Sequence, residues 1–330
     1  MSLLIKKVNT GKHLIEQRKL MEMGIIPNHP GISIFSASQS GGKSTLVNNM
    51  LTNELMYGPS HEGLELINGK LPKKKGYFDA VFLFCGSPDD MYENLIEQKI
   101  IKQNHVCLDP TPEALQTVID GQKAIIKKHN GEIHKSPRIL FILDDVMNNG
   151  KLLRSKPFLD LFVNGRHINS STFLLAQYLN LIPRPCRVQS NWTFVGKSNL
   201  AELTTLTEQY CPTEMSKKEF QGMVVEATND DKKSKNNFFV IVKRAAPNLR
   251  FRKNLDQYIS LKRHNITPKT EIPEPKSSKN PILEAKSRIS DLEKSSFADV
   301  IAEAQSEINL PDLKPKNQKK MHFRRNNMKY

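Results

Sequence analysis

Residues 36–45 read SASQSGGKST and follow directly on the apolar run GISIF. Such a stretch is either a loop that wraps phosphate or a polar glycine turn that happens to hold a lysine. Set against G-x-x-x-x-G-K-[ST], residues 37–44 agree at every fixed position except the first, where Ala37 stands. In a phosphate loop, Gly41 and Gly42 let the backbone curl until its N–H groups point inward. Lys43 then reaches the β- and γ-phosphates, and the Ser44 hydroxyl ligates Mg²⁺. The helix starting near Lys43 adds its positive dipole end. Ala37 costs little while its φ stays negative, because that residue only enters the turn. Context decides for phosphate: a strand ends at Ser36, and the amphipathic STLVNNMLTNEL begins at once. Ala37, Ser38, Gln39, Ser40, Gly41, Gly42, Lys43, Ser44 and Thr45 are the candidate nucleotide-binding residues.

A phosphate loop needs a magnesium partner on a neighbouring strand, and RILFILDD (138–145) supplies one. Asp144 is expected to hold Mg²⁺, through water, opposite Ser44. Asp145 is placed to orient or deprotonate the attacking water. The strand FDAVFLFCG (78–86) lies between these two in sequence. ATPases with a second catalytic acid insert a further strand between loop strand and acid strand in the sheet, an arrangement this sequence permits. TFLLAQ (172–177) ends at Gln177, whose amide would lie beside the γ-phosphate and sense its loss.

The runs ISIFS, FDAVFLFCG, ILFIL, TFLLAQ and WTFVG are continuously apolar, as in parallel strands covered on both faces. Candidate helices fall at 43–55, 89–98, 112–128, 155–165 and 198–208. The fold class is therefore α/β, a mainly parallel sheet built from right-handed crossovers. MVVEATNDDKKSKNNFFVIVKR (223–244) reads as an edge β-hairpin around a polar turn. Residues 1–30 form a lead with a short helix, residues 31–260 the nucleotide-binding domain, and residues 261–330 a linker and tail. Within the tail, 290–308 is expected to form an amphipathic helix, followed by a basic arm.

The chain has 330 residues and a formal charge of +15, which favours a polyanionic partner. Lys73, Lys74 and Lys75 are the candidate DNA contacts. No run is long and apolar enough for a membrane span, and the start lacks the apolar core of a secretion signal, so secretion is not expected. Four dispersed cysteines without a C-x-x-C pair suit a reducing compartment.

Taken together, HPGISIFSASQSGGKST, ILFILDDVMNN, LFVNGRHINSSTFLLAQYLNLIPRPCR and NWTFVGKS resemble one family. It is that of the genome-packaging ATPases of poxviruses, other large DNA viruses and virophages, within the FtsK–HerA group of P-loop motors. The resemblance spans residues 29 to 198. It implies a RecA/FtsK-like P-loop NTPase that hydrolyses ATP with Mg²⁺ and assembles as a homo-oligomeric ring, a pentamer or hexamer. It further implies that the ring drives double-stranded DNA into a capsid, engaging capsid or portal-vertex proteins. The setting would be the virion and a virus factory in host cytoplasm. Lys43 and Ser44 match the family's loop, Asp144 and Asp145 its acid pair, and Gln177 its polar sensor. Many relatives carry Gly where this chain has Ala37, and Glu where it has Asp145, whose side chain is one methylene shorter. A ring motor also needs an arginine reaching the neighbour's nucleotide, for which Arg166 is the first candidate, then Arg184 and Arg187. Two other classes fit the loop alone. One is a small-molecule or nucleoside kinase, with 57–75 as its lid. The other is a non-catalytic basic DNA-binding virion protein.

Overall fold

The structure is a computed structural model and describes residues 3–7, 17–61, 73–230 and 235–261. In chain order, β1 (Leu3–Lys7) and α1 (Gln17–Glu22) lead into β2 (Ile32–Ser36), α2 (Lys43–Thr52), β3 (Ala80–Cys85) and α3 (Asp90–Glu97). Next come β4 (Val106–Cys107), α4 (Pro112–Lys128), β5 (Ile139–Asp144), α5 (Gly150–Leu153), α6 (Lys156–Asn164) and β6 (Ser170–Ala176). The chain continues through α7 (Arg184–Gln189), β7 (Trp192–Val195), α8 (Leu200–Tyr210) and α9 (Lys217–Thr228). It then forms β8 (Phe239–Val242), β9 (Phe251–Lys253) and β10 (Gln257–Leu261).

All strands join one sheet in the order β1-β10-β9-β8-β7-β2-β6-β5-β3-β4. From β7 to β4 every neighbouring pair is parallel; from β7 towards β1 every pair is antiparallel. The central parallel strands are buried along nearly their whole length and mostly apolar, because both faces are covered; the exceptions are small hydroxyl residues such as Ser33, Thr172 and Thr193, and Asp144 at the end of β5. Phe82, Phe84, Phe141, Leu143 and Leu174 pack with α4 to α9 on one face. Val81, Leu83, Leu140, Ile142 and Leu175 pack with α1, α2 and α3 on the other. The result is three layers, with the loop after β2 opening onto the carboxyl ends of the parallel strands.

A strand is inserted between β2 and β5, the arrangement that the sequence permits: it is β6, whereas 80–85 pairs with the far side of β5. One sequence expectation changes. The hairpin expected over 223–244 is absent, because its first half lies in α9. Ser216 and Glu219 close a capping box at the start of that helix. Phe220, Met223, Val224 and Ala227 recur at helical spacing and are all buried, so the Val224–Val225 pair is overruled by its neighbours. FFVIV does form β8, whose antiparallel partners are β7 and β9. The linker, the 290–308 helix and the basic arm lie outside the described residues.

The lead is built into the domain. Leu20, Met21, Ile25 and Ile26 are buried in the core beside α2, and the Tyr57 hydroxyl donates to the Pro27 carbonyl. His29 anchors the start of β2: its Nε2–H donates to Asn169 Oδ1 (3.0 Å), and its Nδ1 accepts from the Ser171 hydroxyl (2.8 Å). Asn169 fixes that tautomer, since its own amide nitrogen donates to the Ser136 carbonyl (2.8 Å).

Candidate nucleotide site

The loop between β2 and α2 is shaped by close packing around Ala37, which is buried. A Cβ on Gly41 would stand 2.8 Å from the Ala37 Cβ, and one on Gly196 would stand 2.6 Å from it. The Ala37 methyl therefore fills the space that those two glycines leave, which is why alanine is accommodated at the loop's first position. Ser40 (φ 59) and Gly42 (φ 82) take left-handed backbone and turn the chain into the helix. Gly42 caps α2 without any side-chain bond, and the first turn carries no acid. Its leading N–H groups are thus left for an anion. Ser38, Gln39 and Ser40 are exposed, as is Thr45, while Lys43 and Ser44 are half-buried.

Lys43 folds back across the loop, its ammonium donating to the carbonyls of Ala37 (2.6 Å) and Ser38 (2.9 Å). Burial lowers its pKa, while the carboxylates of Asp144, Asp145 and Asp89 act in the opposite direction. Those three acids come from the carboxyl ends of β5 and β3, so the lysine and the acid pair converge. Asp144 closes β5. Burial raises its pKa, against the Tyr92 hydroxyl, which donates to Oδ2 at 2.6 Å, and the nearby Lys43 ammonium. Asp145 has a φ of 54, and this left-handed turn brings its N–H onto the Asp144 carboxylate while its side chain faces solvent. Cys85, opposite Asp144 in the ladder, stays a thiol because burial pushes its pKa up to about 12. Gln177 follows β6 directly, exposed, between the ends of the loop strand and the acid strand.

The remaining expected residues lie elsewhere. Arg166 and His167 precede β6 and stand at the opposite rim of the sheet, their side chains within 3.3 Å of each other. β6 alone separates them from Gln177 by roughly 20 Å at strand rise. Arg187 is also at that rim, where its carbonyl accepts from Lys243. Lys74 is paired with Glu54, and Lys75 with Asp79 at 2.9 Å, so of the three candidate lysines only Lys73 has no ion pair among the described residues.

Sequence reasoning missed Tyr92 and Asp89. Asp89 caps α3 by accepting from the N–H groups of Met91 (3.1 Å) and Tyr92 (3.3 Å), and this sets Tyr92 against Asp144. The SPDD stretch after β3 was a legible helix start. Its proximity to Asp144 comes only from the pairing of β3 with β5.

A loop after β2 with an uncapped helix, an acid pair on β5 and an intervening β6 defines a P-loop nucleoside triphosphatase. The family is set by sequence: residues 70–253 match the poxvirus A32 protein family, and the chain belongs to it, a family of viral genome-packaging ATPases. That match begins after the phosphate loop, so the loop is independent support for ATP hydrolysis. Among solved structures, the chain is similar to the genome-packaging NTPase B204 of Sulfolobus turreted icosahedral virus 2 in complex with ATP-gammaS. The identity is 11%, over 68% of this chain and 96% of that one, with a TM-score of 0.41. It is also similar to the pCW3 conjugation coupling protein TcpA (11% identity, 68% and 60% covered, TM-score 0.43). A third is EssC (ATPases 2 and 3) from Geobacillus thermodenitrificans (12% identity, 84% and 45% covered, TM-score 0.43). Among curated proteins no sequence match was found. No helix among the described residues is long and apolar enough to cross a membrane.

Proposed function

We propose that this chain is the motor that drives double-stranded DNA into a viral capsid, working as a homo-oligomeric ring that hydrolyses ATP with Mg²⁺. The carrying observation is the convergence of Lys43, Asp144, Asp145 and Gln177 at the carboxyl ends of β2, β5 and β6. The site fits a nucleotide: α2 offers unanswered N–H groups, and side chains at Gly41 or Gly42 would crowd the cradle. Ser44 and Asp144 would hold Mg²⁺, which when bound supplies charge neutralisation on the phosphate oxygens. Lys43 exchanges its two loop carbonyls for the β- and γ-phosphate oxygens. Tyr92 keeps Asp144 ionised and oriented, while Asp145, exposed on its left-handed turn, orients the attacking water. Gln177 reads the γ-phosphate.

Arg166, at the far rim, cannot serve its own nucleotide and is assigned to a neighbour's in the ring. Duplex DNA and capsid proteins are the partners, in the virion and in a virus factory of the host cytoplasm. The test is ATP hydrolysis by the purified chain with and without linear duplex, measured beside particle size. Hydrolysis should rise with duplex and vanish in Lys43→Ala. No hydrolysis by the parent, or equal rates in both proteins, overturns the reading.

A further inference from the structure

At the rim opposite the nucleotide loop, a recess of about 440 Å³ opens between the end of α8 and the β8–β9 connection. Its place follows from the ladders: Val242 of β8 pairs with Trp192, the first residue of β7, and β7 runs parallel to β2. Gln209, Tyr210, Glu214, Lys243 and Arg250 are among the residues that line it. The Gln209 Nε2 and Arg250 Nε atoms are buried without a hydrogen-bond partner, and so is Nε of adjoining Arg187. Lys243 donates to the carbonyls of Arg187 and Val188 and lies 5.3 Å from the centre of the Tyr210 ring. Among the described residues no carboxylate pairs with Arg187, Lys243 or Arg250. Burial without a counter-charge pulls the Lys243 ammonium down to about 8.

Buried donors without acceptors raise the free energy of a folded chain unless a ligand answers them. Here the Arg250 guanidinium and the Gln209 amide line one recess, each with a buried nitrogen unanswered, and the Arg187 guanidinium adjoins it. Lys243, already held by two carbonyls, adds positive charge, and a ligand rich in acceptor oxygens and negative charge would answer the set. Guanidinium forks suit phosphate oxygens best. The same rim carries Lys73, Lys99 and Lys102 around the start of β3. Such a rim of cations matches a polyanion rather than a single small ion.

We propose that this recess binds a backbone phosphate of double-stranded DNA, at the end of the sheet away from the nucleotide. This rests on the DNA-translocating function proposed above. Arg250→Met and Gln209→Leu each remove a buried donor nitrogen that has no partner among the described residues. Neither should lower the melting temperature measured without DNA. Each should weaken duplex binding, read by fluorescence anisotropy, about ten-fold, the size of one charge-assisted contact. Arg250→Met should also reduce the slope of log affinity against log salt by about one.

Unchanged affinity and slope in both variants overturn the proposal, as does a lower melting temperature in both, which would assign these groups to the fold. A second arm uses inorganic phosphate on the Lys43→Ala protein, where the nucleotide loop is disabled. Phosphate should raise its melting temperature but not that of Lys43→Ala/Arg250→Met; equal stabilisation overturns the site. A parent that binds no duplex, yet takes phosphate at this recess, removes the DNA reading and leaves a site for free phosphate.

Discussion

Replacing Tyr92 by Phe isolates the bond that holds Asp144. The exchange keeps the buried ring and deletes only the hydroxyl that donates to Asp144 Oδ2 at 2.6 Å. A hydrogen bond to a charged group contributes about 1.5–3 kcal/mol. At fixed pH its loss changes the ratio of ionised to protonated carboxyl by about 10- to 100-fold. Burial already raises the pKa of Asp144, so the deletion adds to an existing upward shift. Between the unfolded and the native pKa the folded chain holds a proton that the unfolded chain has released. Stability therefore falls as pH rises through that window, and the fall is larger in Tyr92→Phe. Hydrolysis requires the ionised acid, so the acid limb of the rate profile should move to higher pH. The rate should fall more steeply towards acid pH than in the parent, and less steeply at the higher Mg²⁺ concentration, where the metal competes with the proton. The assay is a pH–rate profile of ATP hydrolysis at two Mg²⁺ concentrations, beside melting curves at each pH. An acid limb that coincides with the parent's, with both proteins folded, refutes the assignment of Tyr92 as the residue holding Asp144 ionised.

Two further perturbations probe the frame around the site. Gly196→Ala places a methyl 2.6 Å from the Ala37 Cβ, so ATP binding should weaken and urea melts should show a loss of about 1–3 kcal/mol. Ala37→Gly in the same chain should restore both, and a double variant no better than Gly196→Ala would show that the contact is not the cause. Burial pulls the His29 pKa from 6.5 down to about 4. The unfolded chain then binds the extra proton between those values, so His29 contributes stability that is complete above pH 6.5 and lost as pH falls towards 4. The loss amounts to about 3 kcal/mol. The melting temperature of His29→Asn should depend less steeply on pH across that interval; an equally steep curve contradicts this.

The phosphate loop and the acid pair were legible because each is a local pattern: a strand, a turn and a helix start within residues 32–52, and a strand ending in two acids. Local patterns also found the cores of the five apolar strands and the span of α4. What the sequence withheld depends on pairing between distant segments. Nothing local says that β6 enters between β2 and β5, or that β3 brings Asp89 and Tyr92 to Asp144. Residues 217–228 went astray because Val224 and Val225 favour strands taken singly, whereas the capping box and the spacing of Phe220, Met223, Val224 and Ala227 act over the whole helix. Strand β9 is only three residues long, FRK, and two of them are basic, among them buried Arg252, whose guanidinium lies 4.8 Å from the Trp192 ring centre. Such a buried cation looks like a loop residue until its aromatic neighbour is known.

β2 is held between β6 and β7, Ile32 opposite Thr172 and Ser33 opposite Trp192. During synthesis on the ribosome, both sheet neighbours of the loop strand are made more than a hundred residues after it. Until residue 195 has left the exit tunnel, the nascent chain has no frame on which to shape an ATP cradle. Contacts of such sequence separation slow folding and leave apolar strands exposed while they wait. ATP capture by a growing chain would therefore begin abruptly, after the seventh strand emerges.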